Sequence, residues 1–212
     1  MMNSTSFDPG PLADVDCEAS EDRWTLVFVR DLRHPPEKVW AALTEPAQLN
    51  EWAPFLADRN LGAPGDATLT MIDDTATEPM PATVRRAEPP TLLEYTWGGD
   101  LLRWELAAVE SGAAVESGAA VESSAAVESS AAIRSGTRLT LRHTVNDRDW
   151  VPKIAAGWHL CLVVAERLLD GQPIGPVRGE AARKYGWDEL NDAYAQRLSI
   201  AETPWPEDRV QP

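Results

Sequence analysis

The sequence predicts an α+β fold in which a curved antiparallel sheet wraps around one long C-terminal helix. Three observations lead to this prediction. Several segments alternate apolar and polar residues, as antiparallel strands with one wet face do. Two short helical segments follow the first of these strands, and a long helical segment with an apolar face follows the last. This order is typical of an α+β domain.

Composition excludes several classes of protein before any motif is considered. The chain has 212 residues, 43% of them hydrophobic and 25% charged, which suits one domain with a core. A net charge of −15 argues against nucleic acid and anionic membrane surfaces as partners. No apolar run approaches the roughly 18 residues of a membrane span, and no signal peptide is visible. The two cysteines make no disulfide framework, so we expect a soluble cytoplasmic protein.

The first strand is predicted over Arg23–Leu32, which is rich in β-branched and aromatic residues. Two short helices are predicted directly after it. Pro35 and Pro36 suit the start of the first helix, because proline is tolerated in a first helical turn. Thr44 can cap the second helix, which has Pro46 in its first turn.

Five alternating segments follow the helices and predict the rest of the sheet. The predicted strands are Asp66–Ile72, Met80–Ala87, Thr91–Trp97, Leu101–Ala108 and Arg138–Val145. Gly98, Gly99 and Asp100 mark a tight turn between two of these strands, which we therefore expect to form a hairpin.

The long helix is predicted over Trp150–Leu169 and ends before Gly171. Adjacent helical residues point about 100° apart, so only one of Trp158 and His159 can face the sheet, and we favour Trp158. Three regions are then expected along the chain. They are an acidic flexible leader over residues 1–21, the α+β domain over 22–172, and a connector with a helical extension and Pro-rich tail over 173–212.

A hexad repeat interrupts the predicted sheet between residues 107 and 136, where the chain reads AAVESG, AAVESG, AAVESS, AAVESS, AAIRSG. A β-helix needs more hexads to bury a core, and a helix would gain no continuous apolar stripe. Strand geometry is allowed, since every valine would lie on one face. Deleting four hexads leaves a simple β-hairpin. We interpret the repeat as a tandem insertion in a hairpin tip without a catalytic role; disorder and an extended hairpin both stay open.

The run RDLRHPPEKVWAALTEPAQLNEW, which starts at Arg30, resembles the opening of the START-like, helix-grip (SRPBCC) superfamily. Within it, the chain is most similar to the branch named after the activator of the heat-shock-protein-90 ATPase. The segments LLEYTW, TRLTLRHTV and GWHLCLVVAERLLDGQP fit that branch as well. The resemblance spans Arg23–Gln172. It implies a helix-grip fold with a cavity under the long helix that holds a hydrophobic ligand.

Aromatic and apolar side chains on the predicted inward faces, or at their rim, are the candidate ligand-binding residues. They are Trp52, Tyr95, Trp97, Trp104, His143, Trp158 and Leu162. His143 could exchange one hydrogen bond with a ligand, or it could be a core histidine bonded to a neighbouring element. The tryptophans could line a cavity or simply fill the core.

Motifs for other chemistry are absent from the sequence. It contains no Walker loop, G-x-G-x-x-G, G-x-S-x-G or H-E-x-x-H, so we expect no cofactor, no metal site and no assigned catalytic residue. Binding of a small hydrophobic molecule is the favoured function. A protein-interaction module, such as a chaperone regulator, would need a large exposed apolar patch. A cyclase- or hydratase-like enzyme would need a second titratable group facing His143.

Overall fold

The computed structural model describes residues 7–72, 77–110 and 135–201. Within these residues the strands are β1 (Asp14–Ser20), β2 (Arg23–Leu32), β3 (Phe55–Ala57), β4 (Gly65–Ile72), β5 (Thr77–Glu88), β6 (Leu92–Trp97), β7 (Asp100–Glu110) and β8 (Ser135–Val145). The helices are α1 (Pro36–Thr44), α2 (Pro46–Trp52), α3 (Val151–Leu169) and α4 (Trp187–Leu198). The predicted α+β class is confirmed. The predicted elements occur in the expected order, and the structure adds two strands that were not predicted, β1 and β3.

All eight described strands form one curved, open antiparallel sheet, in the order β1-β2-β8-β7-β6-β5-β4-β3. The strand predicted over Arg23–Leu32 is β2 itself, because its alternation is strong: Leu26 and Phe28 are fully buried on one face. The sheet therefore presents one continuous apolar face to the helices, which is where a site between sheet and helix must lie.

The long helix α3 covers this apolar face and spans about 28 Å at the helical rise of 1.5 Å per residue. It contacts β2 of the sheet and packs beside α1, α2 and α4. It ends at Leu169, and Gly171 follows with a φ of +76°, a conformation that glycine adopts without strain. In the part of the chain that the structure describes, no helix is both long and apolar enough to cross a membrane.

The expectation of a flexible leader over residues 1–21 is wrong for Asp14–Ser20, which form β1. Residues 1–6 lie outside the described residues. This strand pairs with β2 along its whole length, from Asp14 opposite Val29 to Ser20 opposite Arg23. Alternation is present, since Val15 and Cys17 are partly buried between exposed acidic residues. The density of acidic residues hid that pattern, because acidic residues are rare in strands.

The hexad repeat, predicted as a hairpin insertion at 107–136, falls mostly on residues 111–134, which lie outside the described residues. On either side of that gap, β7 and β8 pair as antiparallel neighbours, from Leu101 opposite Thr144 to Glu110 opposite Ser135. The strands flanking the repeat thus form the expected pair. A tandem insertion at the hairpin tip stays a prediction.

Candidate functional site

Six of the seven predicted site residues lie together between the sheet and α3. With Phe55 they form what we call the aromatic cluster: Trp52, Phe55, Tyr95, Trp97, Trp104, His143 and Trp158. The seventh, Leu162, is buried on α3 one helical turn beyond Trp158. The structure therefore brings the predicted residues into one place.

The centre of the aromatic cluster is the contact between Trp104 of β7 and Trp158 of α3. Their ring centroids are 5.1 Å apart and their planes are nearly perpendicular, at 89°. Trp52 of α2 packs against both rings, at 6.3 Å from Trp104 and 6.5 Å from Trp158. Edge-to-face contacts of this kind stabilise aromatic pairs beyond the area they bury. The rings thus occupy the space between sheet and helix.

Trp97 forms the edge of the aromatic cluster, because it is half-buried while the central rings are buried. Its ring lies 5.3 Å from Phe55, 6.1 Å from His143 and 6.1 Å from Trp158. The sequence analysis missed Phe55. Its strand, β3, has only three residues, which is too short for alternation to show.

Three of the four indole N–H groups of the aromatic cluster, those of Trp52, Trp104 and Trp158, donate within the protein. Trp104 Nε1 donates to Tyr95 Oη at 3.2 Å, and Trp52 Nε1 donates to the Ala42 carbonyl at 2.9 Å. Burial raises the pKa of Tyr95 far above its usual value, so its phenol stays neutral. The bonds to Tyr95 and Ala42 hold the Trp104 and Trp52 rings in their positions within the core.

His143 links the aromatic cluster to Asp100. Trp158 Nε1 donates to His143 Nδ1 at 3.0 Å, and His143 Nε2 lies 3.1 Å from Asp100 Oδ2. An indole N–H can only donate, so Nδ1 must accept and the neutral imidazole carries its proton on Nε2, where it donates to the carboxylate. The His143 side chain is 3% exposed and that of Asp100 is 33% exposed, so this chain of bonds runs from the core to the surface.

The imidazole of His143 therefore has both nitrogens engaged, and the interpretation as a bonded core histidine is the one that the structure shows. Asp100 is a second titratable group facing it, which the sequence analysis required of an enzyme. A general base at Nδ1 would first have to lose its bond to Trp158. Within residues 7–72, 77–110 and 135–201, no group of three His, Cys, Asp or Glu is placed to hold a metal ion.

The fourth indole of the aromatic cluster, that of Trp97, donates no hydrogen bond. Its Nε1 is buried, and it has no hydrogen-bond acceptor among the described residues. A buried N–H without an acceptor costs about 1–3 kcal/mol relative to a bonded one. An acceptor brought to this nitrogen would therefore bind favourably.

Helix α2, which positions Trp52, is fixed at its C-terminal end by Arg178 of the connector. Arg178 Nε donates to the Ala53 carbonyl at 2.8 Å, and its Nη2 donates to the Asn50 carbonyl at 3.1 Å. The last carbonyls of a helix have no partner within the helix. A positive charge at this end also interacts favourably with the helix dipole. The connector thus holds in place α2, the helix that carries Trp52 of the aromatic cluster.

We expect Arg178→Met to lower the free energy of unfolding by about 1–2 kcal/mol, because two carbonyls lose charged donors while the side-chain stem is kept. Urea unfolding monitored by circular dichroism would measure the loss. Arg33→Met is the matched control, since the Arg33 side chain is 75% exposed and its surface ion pairs contribute little. Equal losses in the two variants would contradict this role of Arg178.

Comparison with known proteins agrees with the fold. Residues 33–169 match the family model described as Activator of Hsp90 ATPase homolog 1-like protein. That match confirms the resemblance to the START-like superfamily. None of the curated proteins matches the sequence.

Solved structures share the fold at low sequence identity. EF2215 of Enterococcus faecalis, a conserved protein of unknown function, aligns with a TM-score of 0.58 at 14% identity, covering 87% of this chain and 90% of that chain. CalU16 of Micromonospora echinospora aligns with a TM-score of 0.53 at 18% identity, covering 87% of this chain and 95% of that chain. At such identities the similarity shows the fold alone.

Proposed function

The chain belongs to the Activator of Hsp90 ATPase homolog 1-like family of the START-like superfamily, and on this premise we propose that it binds a small hydrophobic molecule at the aromatic cluster. The observation that supports this most directly is the buried Trp97 N–H, which has no acceptor among the described residues. A ligand carbonyl or ether oxygen would satisfy that donor. The apolar body of the ligand would lie on Phe55 and Trp158, which already contact the Trp97 ring.

Entry of a ligand requires the aromatic rings to separate, because they contact one another in the structure. Trp97 is the ring that can move most easily, since it is half-buried and is the last residue of β6, directly before Gly98 and Gly99. Trp158 is held in place by its hydrogen bond to His143, which in turn is bonded to Asp100. We therefore assign Trp97 to the mouth of the site and the Asp100–His143 pair to positioning Trp158.

The alternative functions have weaker support. An enzyme that used His143 as a base would have to break the Trp158 bond at Nδ1 in each cycle. A protein-interaction module is expected to expose a contiguous apolar patch. Among the described residues, the exposed large hydrophobic side chains are Trp150 and Ile174, and they flank opposite ends of α3. Two side chains are much less than the contiguous apolar area that such a module is expected to expose.

The proposal is tested with two ligands of one shape. 2-Acetylnaphthalene has a carbonyl acceptor, and 2-ethylnaphthalene lacks it. We expect the purified protein to bind the ketone more tightly than the hydrocarbon by about two- to tenfold, which is what one hydrogen bond contributes. Quenching of tryptophan fluorescence gives the two affinities, and the rise in melting temperature with ligand checks them. Native mass spectrometry beforehand would detect a molecule already bound.

Trp97→Phe keeps an aromatic ring and removes the N–H, so the preference for the ketone should disappear while 2-ethylnaphthalene still binds. Trp150→Phe is the matched control, because Trp150 lies on the surface at the start of α3, and it should keep the preference. The proposal fails if neither naphthalene shifts the melting temperature up to its solubility limit and no bound species is found. A preference for the ketone that survives in Trp97→Phe would reject the role of Trp97.

A further inference from the structure

A second polar cluster surrounds His159, the neighbour of Trp158 on α3. His159 is 0% exposed. Its Nδ1 lies 2.7 Å from Tyr194 Oη, and its Nε2 lies 2.8 Å from the Pro9 carbonyl oxygen. Tyr194 Oη also accepts the Ala13 N–H at 3.0 Å. One imidazole thus joins α3 to α4 and to the N-terminal segment, residues 7–13.

These bonds determine the protonation state of His159. A carbonyl oxygen only accepts, so Nε2 carries a proton and donates it to Pro9. Tyr194 Oη accepts from Ala13, and its own O–H donates to Nδ1. Every donor then has an acceptor, which holds only for the neutral imidazole. A second proton on Nδ1 would meet the tyrosine O–H and force that hydrogen away from its acceptor.

Among the described residues, no carboxylate hydrogen-bonds to His159. On the N-terminal segment, Asp8 is exposed, and its carboxylate accepts the Gly10 N–H. From β2, Phe28 packs edge-on at 6.4 Å, and Arg30 adds positive charge. The nearest carboxylate partner of that arginine is Glu166 of α3, which Arg30 already binds at 3.1 Å. From α4, burial raises the pKa of Tyr194 to about 12, so Tyr194 stays neutral in acid.

A charged pair between β1 and α4 lies at the surface of this region. Arg197 of α4 binds Asp14 at 2.8 Å, and the Asp14 side chain is largely exposed. Surface pairs of this kind contribute at most about 1 kcal/mol. Burial, the largest cause, and Arg30 both lower the pKa of His159, while the Pro9 carbonyl opposes them. The buried imidazole thus connects the three segments through two hydrogen bonds inside the core.

We propose that His159, Tyr194, the Pro9 carbonyl and the Ala13 N–H form a pH-sensitive latch. While His159 is neutral, the latch holds residues 7–13 and α4 against α3. When His159 is protonated, its bond to Tyr194 breaks and the N-terminal segment and α4 separate from α3. Release exposes the apolar side of α4, on which Leu190, Tyr194 and Ala195 are buried.

The direction of the pH effect follows from the lowered pKa of His159 in the closed latch. An open latch leaves the imidazole near its ordinary pKa of about 6.5, so the open form binds more protons than the closed form below that pH. The closed form is therefore fully favoured above about pH 7 and loses stability as the pH falls through about 6.5. Each further pH unit shifts the ratio of open to closed about tenfold, until the closed form is protonated as well.

Hydrogen exchange of the full chain tests the latch. Protection factors, which correct for the intrinsic exchange rate at each pH, would be measured at pH 7.5 and pH 5.5. We expect protection of the Ala13 amide and of the α4 amides to fall about tenfold between the two values. Protection in β7 and β8, which pair at the centre of the sheet, should not change.

His159→Gln removes the titrating group, so the difference between the two pH values should vanish. His34→Gln, which alters the separate His34–Asp170 pair, should keep the difference. Tyr194→Phe removes the O–H donor and should already show the low protection at pH 7.5, which tests the latch even if His159→Gln does not fold. The proposal is overturned if wild-type protection is equal at both pH values, if β7 and β8 lose protection together with α4, or if His159→Gln keeps the fall.

Discussion

Replacing Trp104 with alanine is expected to lower the free energy of unfolding by about 3–5 kcal/mol, the usual loss when a large aromatic residue is removed from a packed core. Trp104 is 1% exposed. Its ring contacts Trp52 and Trp158, and its N–H donates to Tyr95. Alanine would leave a cavity where three elements meet, since β7, α2 and α3 each contribute a ring there.

The loss is measured by urea unfolding followed by circular dichroism, because the fluorescence of the remaining tryptophans would itself change. Trp104→Phe keeps a ring in the core and removes the N–H, so its loss should be about 1–2 kcal/mol. Trp150→Ala removes an exposed indole, and its loss should stay below about 1 kcal/mol. Similar losses for Trp104→Ala and Trp150→Ala would show that the aromatic cluster does not hold the sheet and α3 together.

Much of the aromatic cluster is predictable from the sequence, because alternation alone decides which residues of a strand share a face. Tyr95 and Trp97 are two residues apart on β6, and Trp104 has the same parity as its buried neighbours Leu102 and Leu106 on β7. Trp158 lies inward as predicted, but the expectation that only one of Trp158 and His159 could face the sheet is wrong, because His159 is buried as well and packs against Phe28 of β2. Periodicity predicts a face without any knowledge of the neighbouring strand.

The partners of these residues were not predictable, because they depend on register and on long-range packing. Asp100 reaches His143 since Leu102 pairs with His143 and Asp100 lies two residues before Leu102 on the same face. A hexad repeat stands between β7 and β8 in the sequence, so their register could not be inferred from loop length. Tyr194 and Pro9 contact His159 although they are 35 and 150 residues away from it in the sequence. No local sequence pattern predicts such contacts.

Gly136, the last residue of the hexad repeat, is expected to be intolerant of a side chain. A Cβ at this position would lie 2.8 Å from the Leu32 carbonyl oxygen and 3.1 Å from Val109 Cγ2. The carbonyl cannot move alone, because Leu32 pairs with Thr137 in the ladder between β2 and β8. We expect Gly136→Ala to lower the free energy of unfolding by about 2–3 kcal/mol, as a methyl group forced against backbone does.

Gly99→Ala is the matched control for Gly136→Ala. No atom lies within 4 Å of a Cβ at Gly99, so its effect should stay within about 0.5 kcal/mol. Urea unfolding of both variants measures the difference. Adding Val109→Ala to Gly136→Ala separates the two contacts, since it removes the methyl groups of Val109 and leaves the Leu32 carbonyl in place. If the carbonyl sets the limit, this second change restores little stability. Full recovery would instead identify the Val109 side chain as the obstacle and leave the strand pairing at Leu32 able to accept alanine.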